Sequence, residues 1–368
     1  MQTAGRKSVL WFQRQLMRDV MVQAFSPHVR LSVVQMTASA QAGVDRFGLV
    51  HAPTAESYTR TLTAATLLSS FLSGEERVAL HFRETDSERY MHEICAEAIR
   101  LGEVRGFVRT NPAVPPDDSR FSPHAYLMAS RVLYNHARPV QSSVSVQNGD
   151  ITSDVQHFLE QSDQQDSFIH LESTVLPSPD GAQVAYCGGL IAQRLPEGDM
   201  DELRYIRQLF SDPHRLPPMV PAIRARLEED SLKNGNVQAR SELPQGPSLP
   251  SELHSSTNRG PLSLRSALAS GVPVHAVARA CLPSLADRAL DDRATFRPTP
   301  IDFFCRCSKE SFLQLMARMP PEELQSLETE LRAREAQGDD PPETLECHYC
   351  NTKYPLAADD VVKVQSER

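Results

Sequence analysis

Apolar residues over the first two hundred positions recur at two different periods, and the alternation between those periods lays out the elements. Between Thr54 and Leu72, the residues Tyr58, Leu62, Ala65, Leu68 and Leu72 fall at helical spacing and Ser73-Gly74 supplies a stop, so a buried helix is predicted. Val78, Leu80 and Phe82 then alternate with Ala79, His81 and Arg83, the two-residue period of a half-buried strand. Tyr126 to Tyr134 and the run carrying Val140, Ser142, Val144 and Val146 flank His136 to Pro139, which reads as an antiparallel hairpin. Beyond the Asn148-Gly149-Asp150 turn, Val155, Phe158 and Leu159 mark a short helix. Two strand-like segments, around Phe168 to Thr174 and Val184 to Ile191, embrace the Pro177-Ser178-Pro179-Asp180-Gly181 turn. These elements predict a core over residues 19–200 that ends near Pro196.

The texture changes over 201–300, where helical pieces such as Asp201 to Phe210 and Val274 to Cys281 sit among prolines, as in a linker. Residues 233–260 are rich in Ser, Pro, Gly, Asn and Gln and almost lack large apolar side chains, so nothing offsets their ordering entropy and a disordered insert is expected. Residues 301–368 read as a compact module. Phe312, Leu315, Met316 and Met319 form one apolar stripe, and after Pro320-Pro321 the residues Leu324, Leu327 and Leu331 form a second; both are expected in the core. Glu322, Glu323, Glu328, Glu330, Glu335, Asp339 and Asp340 form a solvated acidic face. The fold class is therefore a multi-domain α+β or α/β chain: an N-terminal α/β core with mostly antiparallel sheets, a helical linker, and a small C-terminal metal-binding domain.

Composition narrows the function. A chain of 368 residues, 40% hydrophobic and 23% charged, suggests two or three folded units rather than wholesale disorder. The net charge of −9 weighs against a general nucleic-acid binder. No apolar run approaches the roughly 18 residues that span a bilayer, so no membrane partner and a soluble, cytoplasmic protein are expected. Residues 1–18 carry Arg6, Lys7, Arg14 and Arg18, no acid, and Trp11, Phe12 and Leu16. This basic N-terminal extension reads either as a tail or as a mitochondrial or plastid transit peptide. Neither a phosphate-cradling Gly-x-x-x-x-Gly-Lys loop nor a nucleophile elbow occurs, so no enzyme activity is expected.

The cysteines carry the chemistry. Cys95, Cys187 and Cys281 lie in helix-like or strand-like contexts and read as buried small hydrophobes, and Gly188-Gly189 as a bulge or a close backbone approach. Cys305-x-Cys307 and Cys347-x-x-Cys350 are different: two short pairs can each clamp one edge of a tetrahedral zinc ion. Arg306, Lys309 and Lys353 would offset the excess negative charge of four thiolates. His348 is a substitute ligand, less favoured because the cysteines on either side of it already give the natural bite. Several roles remain open for such a site. It could be a structural zinc module in an adaptor, a nucleic-acid-binding zinc ribbon, or a thioredoxin-like dithiol oxidoreductase. The acidic helix disfavours the ribbon; the dithiol should open a helix in a βαβ unit, whereas a short tail follows Cys350.

The stretch Phe303-Phe304-Cys305-Arg306-Cys307-Ser308-Lys309-Glu310, with Cys347-His348-Tyr349-Cys350-Asn351, resembles the redox-switch domain of the heat-shock protein 33 family of holdase chaperones. The likeness extends to Val29 to Thr37, Leu62-Thr63-Ala64-Ala65-Thr66-Leu67-Leu68, Val104-Arg105-Gly106 and Tyr186-Cys187-Gly188-Gly189-Leu190. It implies one zinc ion held by Cys305, Cys307, Cys347 and Cys350 in a redox-regulated, ATP-independent holdase. Oxidation would join Cys305 with Cys307 and Cys347 with Cys350, expel the zinc, loosen the linker and expose apolar surface to unfolded client proteins. An activated homodimer is implied as well. The basic extension, the 233–260 insert and a longer spacer between the cysteine pairs depart from the family pattern.

Overall fold

Runs of β-branched and aromatic residues build two sheets. β1 (Val20–Phe25), β2 (Val29–Gln35), β8 (Ser167–Leu176), β9 (Gln183–Arg194) and β10 (Phe296–Pro300) pair in the order β10-β1-β2-β9-β8, antiparallel throughout. β3 (Arg77–Arg83), β4 (Met91–Ile99), β5 (Glu103–Thr110), β6 (Tyr126–Val132), β7 (Val140–Ser145) and the short β11 (Asp302–Phe303) pair in the order β11-β5-β4-β3-β6-β7. Only the β11–β5 step is parallel in this second sheet. The expected strand is β3, with Val78, Leu80 and Phe82 buried, and the expected hairpin is β6–β7, running from Tyr126↔Ser145 to Arg131↔Val140.

These elements come from a computed structural model that describes residues 19–179, 181–211, 264–269, 272–289, 292–338 and 343–366. The expected extension, 1–18, and the expected insert, 233–260, lie outside the described residues. The chain divides into two compact units, Met1–Phe303 and Phe304–Arg368.

In the first unit, α1 (Thr37–Arg46) is followed by α2 (Ala52–Ser69), the predicted buried helix, which packs against strands of both sheets. Its composition is unusual for a core element. Thr59, Thr61, Thr63 and Thr66 are all buried, and all four hydroxyls return to their own helix: Thr59 to the Glu56 carbonyl at 3.1 Å, Thr61 to that of Ser57 at 2.8 Å, and Thr63 to Thr59 and Thr66 to Leu62, each at 2.9 Å. Each of these buried hydroxyls thereby has a partner within the helix, and Thr59 and Thr63 also meet Ser173 Oγ at 2.8 Å and Cys187 Sγ at 3.1 Å. Glycines let the strands come close. A Cβ on Gly106 would lie 2.4 Å from the Cys95 carbonyl oxygen, and one on Gly189 would lie 2.7 Å from that of His170 and 3.2 Å from Leu67 of α2. Of the two readings of Gly188-Gly189, close approach holds: the β8–β9 register is regular through both and shifts only at Thr174/Val175.

α3 (Ile151–Gln161) is capped by Asp150, whose side chain accepts from the Ser153 N–H. After β9 come α4 (Met200–Ser211), α5 (Leu264–Ala269) and α6 (Val274–Cys281). Leu203, Ile206, Leu209, Leu264, Val277 and Cys281 share one buried cluster with Val22, Leu31, Val33 and Leu190 of the five-stranded sheet. The core therefore does not end near Pro196. Amphipathic helices must bury their apolar stripes, and the face of the five-stranded sheet receives them. The Glu172 carboxylate of β8 fixes the start of α5, accepting from Leu264 N at 2.7 Å and Arg265 N at 3.0 Å, with His170 Nε2 at 2.9 Å. The proline-rich β10, part of the stretch read as linker, runs along the edge of β1, the position at which a strand tolerates Pro298 and Pro300.

The second unit holds α7 (Lys309–Met316), α8 (Pro321–Ala336), the antiparallel pair β12 (Glu343–Glu346) and β13 (Lys353–Leu356), and α9 (Ala358–Ser366). Met316, Leu324, Leu331, Leu356, Val361 and Val364 form its core, with Leu313, Met319 and Leu327 packed against it. Leu315, expected inside, is 58% exposed. α7 ends at Met316, so its buried face runs through Leu313 and Met316 and never develops the longer stripe. On α8, Glu328 and Glu330 pair with Arg332 and Arg334 one turn on, at 3.0 and 2.6 Å. Asp339 and Asp340 lie outside the described residues.

Candidate metal centre

The β12–β13 hairpin turns through Cys347 to Thr352. Cys347 N donates to the Thr352 carbonyl at 2.9 Å, and the N–H groups of Cys350 and Asn351 donate to the Cys347 carbonyl at 3.3 and 2.8 Å. The turn needs a left-handed residue, which Asn351 supplies with φ +56°. It brings the Cys347 and Cys350 sulfurs to one side. Cys305 and Cys307 lie in the irregular segment before α7, where Ser308 caps the helix by accepting from Ser311 N at 3.1 Å.

All four sulfurs lie within 4.8 Å of one another, with Cys305 Sγ 3.7 Å from Cys347 Sγ and Cys307 Sγ 3.4 Å from Cys350 Sγ. A tetrahedron of thiolates around zinc at about 2.3 Å has edges of roughly 3.8 Å. The four cysteines lie close enough to bind one metal ion. Among the described residues this is the one such cluster, and His348, exposed beside it, is not part of it. Cys347 and Cys350 are buried, while Cys305 and Cys307 are half-buried, so the cluster has a wet side.

The hydrogen-bonding shell contains two residues that the sequence reading passed over. Tyr354 Oη lies 3.2 Å from Cys307 Sγ and 3.0 Å from the Cys307 carbonyl oxygen, and Thr352 Oγ1 lies 3.1 Å from Cys350 Sγ. The signal was faint: a hydroxyl residue two positions after Cys350 and another two beyond it, on the strand that leaves the turn. The expected countercharges are differently engaged. Lys309 Nζ is 2.7 Å from Asp360, Lys353 Nζ is 3.7 Å from Glu346, and Arg306 is exposed.

Burial pushes the Cys347 thiol up and the three other sulfurs add to the rise; burial also pushes the Cys307 thiol up, with Cys350 and Cys305 adding to it against the hydrogen bonds to Tyr354 and Cys347. Burial acts on Cys350 in the same direction, but the Thr352 hydroxyl and backbone N–H outweigh it and bring that thiol down to about 7. Four neighbouring thiols cannot all ionise against each other's charge; a bound cation removes that conflict. Tyr354 is raised above the ordinary phenol value, first by its hydrogen bond with Cys307, so it stays protonated and able to donate. By contrast Cys187 and Cys281 are fully buried, and burial pushes both to about 12. Together with buried Cys95 they stand apart from the cluster as inert core residues.

Among the described residues no helix is long and apolar enough to cross a membrane. The family model described as Hsp33 protein matches residues 19–357. The 33 kDa chaperonin of Syntrophotalea carbinolica is 22% identical over 308 residues, covering 82% of this chain and 83% of its own. That of Brevibacillus brevis is 24% identical over 360 residues, 94% of this chain and 99% of its own, and that of Thermus thermophilus 23% over 350 residues, 92% and 84%. The crystal structure of the 33 kDa chaperonin (heat shock protein 33 homolog) from Thermotoga maritima shares the fold, with a TM-score of 0.61 at 18% identity over 95% of this chain and 98% of that one. A match that runs from the first described residue, through both sheets, to the hairpin of the second cysteine pair places this chain in the Hsp33 family.

Proposed function

We propose that this chain is a redox-regulated, ATP-independent holdase whose switch is a zinc ion held by Cys305, Cys307, Cys347 and Cys350. The observation that carries the reading is the group of four sulfurs at tetrahedral spacing in a unit with a small core of its own. Zinc, when bound, keeps the four sulfurs as thiolates and ties the segment before α7 to the β12–β13 hairpin. Structural zinc contributes roughly 10–16 kcal/mol in small peptides, as much as the whole 5–15 kcal/mol stability of an ordinary domain. Oxidising the ligands therefore unfolds this unit.

In the oxidation, a cysteine thiolate attacks hydrogen peroxide, the O–O bond breaks and hydroxide leaves. The sulfur, oxidised by two electrons, becomes a sulfenic acid. A second thiol displaces that hydroxyl as water and closes the disulfide. Each disulfide consumes one peroxide. Family likeness supports Cys305–Cys307 and Cys347–Cys350 as the pairs, with apolar surface then opening to unfolded clients and a homodimer forming. The cytoplasm is the proposed compartment, and residues 1–18 leave the organellar reading to a targeting experiment.

The dithiol oxidoreductase reading is disfavoured by one feature: Cys347 and Cys350 sit in a hairpin turn and do not open a helix. Aggregation of a thermally unfolding client, followed in parallel with zinc release before and after peroxide, tests the proposal. Stoichiometric zinc loss should coincide with suppression of aggregation. Cys305→Ser and Cys347→Ser should each remove bound zinc and redox control together; retention of both by either variant would sink the reading.

A further inference from the structure

The Tyr354 and Thr352 hydroxyls meet two of the four sulfurs, one in each cysteine pair, and neither is explained by the ligand pattern. Tyr354 is positioned from two sides: β13 pairs with β12 through Tyr354↔Leu345, and its ring packs on Phe312 of α7 with centroids 5.7 Å apart. An aromatic residue serving only as packing could present its edge to the sulfur without a hydroxyl. Here the Oη reaches both Sγ and the carbonyl of Cys307, 3.2 and 3.0 Å away, so the ring is set against one ligand residue by its polar end. Thr352 is held by the turn, its carbonyl accepting from Cys347 N at 2.9 Å, which sets its Oγ1 to accept from the Cys350 thiol at 3.1 Å.

With the sulfurs as thiols, Cys350 Sγ donates to Thr352 Oγ1 and the one Tyr354 O–H donates to the Cys307 carbonyl beside Cys307 Sγ; a sulfur that has lost its proton can only accept, and an O–H turned to it withdraws electron density from sulfur. Its consequences are predictable: the thiolate form is stabilised for metal binding, the sulfur is a weaker nucleophile towards peroxide, and the ligand orientation is fixed before metal arrives. We propose that Tyr354 and Thr352 are positioning residues of the metal centre, holding Cys307 and Cys350 as hydrogen-bonded thiolates and so setting how readily the zinc site oxidises. The inference rests on the metal-centre reading above and gives the switch its threshold. Without the two hydroxyls the cluster keeps its four ligands but binds metal less tightly and oxidises faster. Outer-shell partners of this kind change metal affinity by about 10- to 100-fold in other sites.

The test uses the full chain as wild type, Tyr354→Phe, Thr352→Val and Thr352→Ser. Zinc affinity is measured by competition with a chromophoric chelator, the thiolate-to-metal charge-transfer band by cobalt substitution, and the rate of zinc release at fixed peroxide. Tyr354→Phe and Thr352→Val should each retain one metal per chain, bind zinc about 10-fold more weakly, move the cobalt band to lower energy and release zinc faster. Thr352→Ser, which keeps a hydroxyl, should restore wild-type values; this separates the hydrogen bond from simple loss of packing. Wild-type affinity, band position and release rate in both Tyr354→Phe and Thr352→Val would overturn the inference while leaving the metal site intact. Equal weakening in Thr352→Val and Thr352→Ser would overturn it for Thr352. A wild-type chain that binds neither zinc nor cobalt would overturn the metal centre itself, a result distinguishable from the others at the first measurement.

Discussion

Gly106 shows how single positions govern the first unit. Its missing side chain leaves room for the Cys95 carbonyl, and its own carbonyl accepts from the Tyr58 hydroxyl of α2 at 2.7 Å. Gly106→Ala forces backbone apart on one side or the helix on the other. It should lower stability by about 1–3 kcal/mol, read as a lower urea midpoint with an unchanged slope. At this scale the four cysteines were legible because residue type and spacing alone state their chemistry. Tyr354, Thr352 and the engagement of Lys309 with Asp360 were not, because each depends on which strand or helix the chain folds back against. The same reasoning explains Leu315: its place outside the core depends on where α7 stops, and spacing alone does not record that.

Among elements, the most instructive is α5. Its six residues are too few to hold a helix by propensity. The Glu172 carboxylate secures its first turn from β8. Burial alone would raise that carboxyl, but hydrogen bonds from His170 and from the Arg265 and Leu264 N–H groups outweigh it and hold it below its ordinary value. A carboxyl whose folded value is depressed stabilises the fold above its unfolded value, near 4.3, and the contribution disappears as pH falls through the folded value. Glu172→Gln should therefore cost about 1–3 kcal/mol at neutral pH and progressively less in acid. Limited proteolysis should cut near Leu264 faster in the variant at pH 7, with the difference from wild type narrowing as the pH is lowered below 4. The strands and helices themselves were largely readable, since α2, β3, the β6–β7 hairpin and α6 follow their apolar periods. Membership of the core was not. The helical pieces after Pro196 look like a linker because their prolines and charges dominate the composition, while the sheet that receives their apolar faces is assembled from strands far away in the sequence.

For the whole molecule, the two compact units predict two unfolding events. The second unit has a small core, and its four sulfurs span the segment before α7 and the β12–β13 hairpin. Chelation of zinc should abolish the transition of that unit and leave the first unit's transition in place, as measured by calorimetry of the zinc-loaded and chelated chain. A single transition that chelation leaves unmoved would contradict this division. The buried α2 helix has a consequence on the same scale. Thr59, Thr61, Thr63 and Thr66 return their hydroxyls to the helix's own backbone, so its central turns carry much of their polar satisfaction with them. On a ribosome, before the sheets have closed over it, this segment offers water a surface dotted with hydroxyls rather than a bare hydrocarbon ridge. The apolar drive for closure comes instead from the strands, and a nascent chain paused at this stage has less to lose to clumping than one whose central helix is leucine throughout.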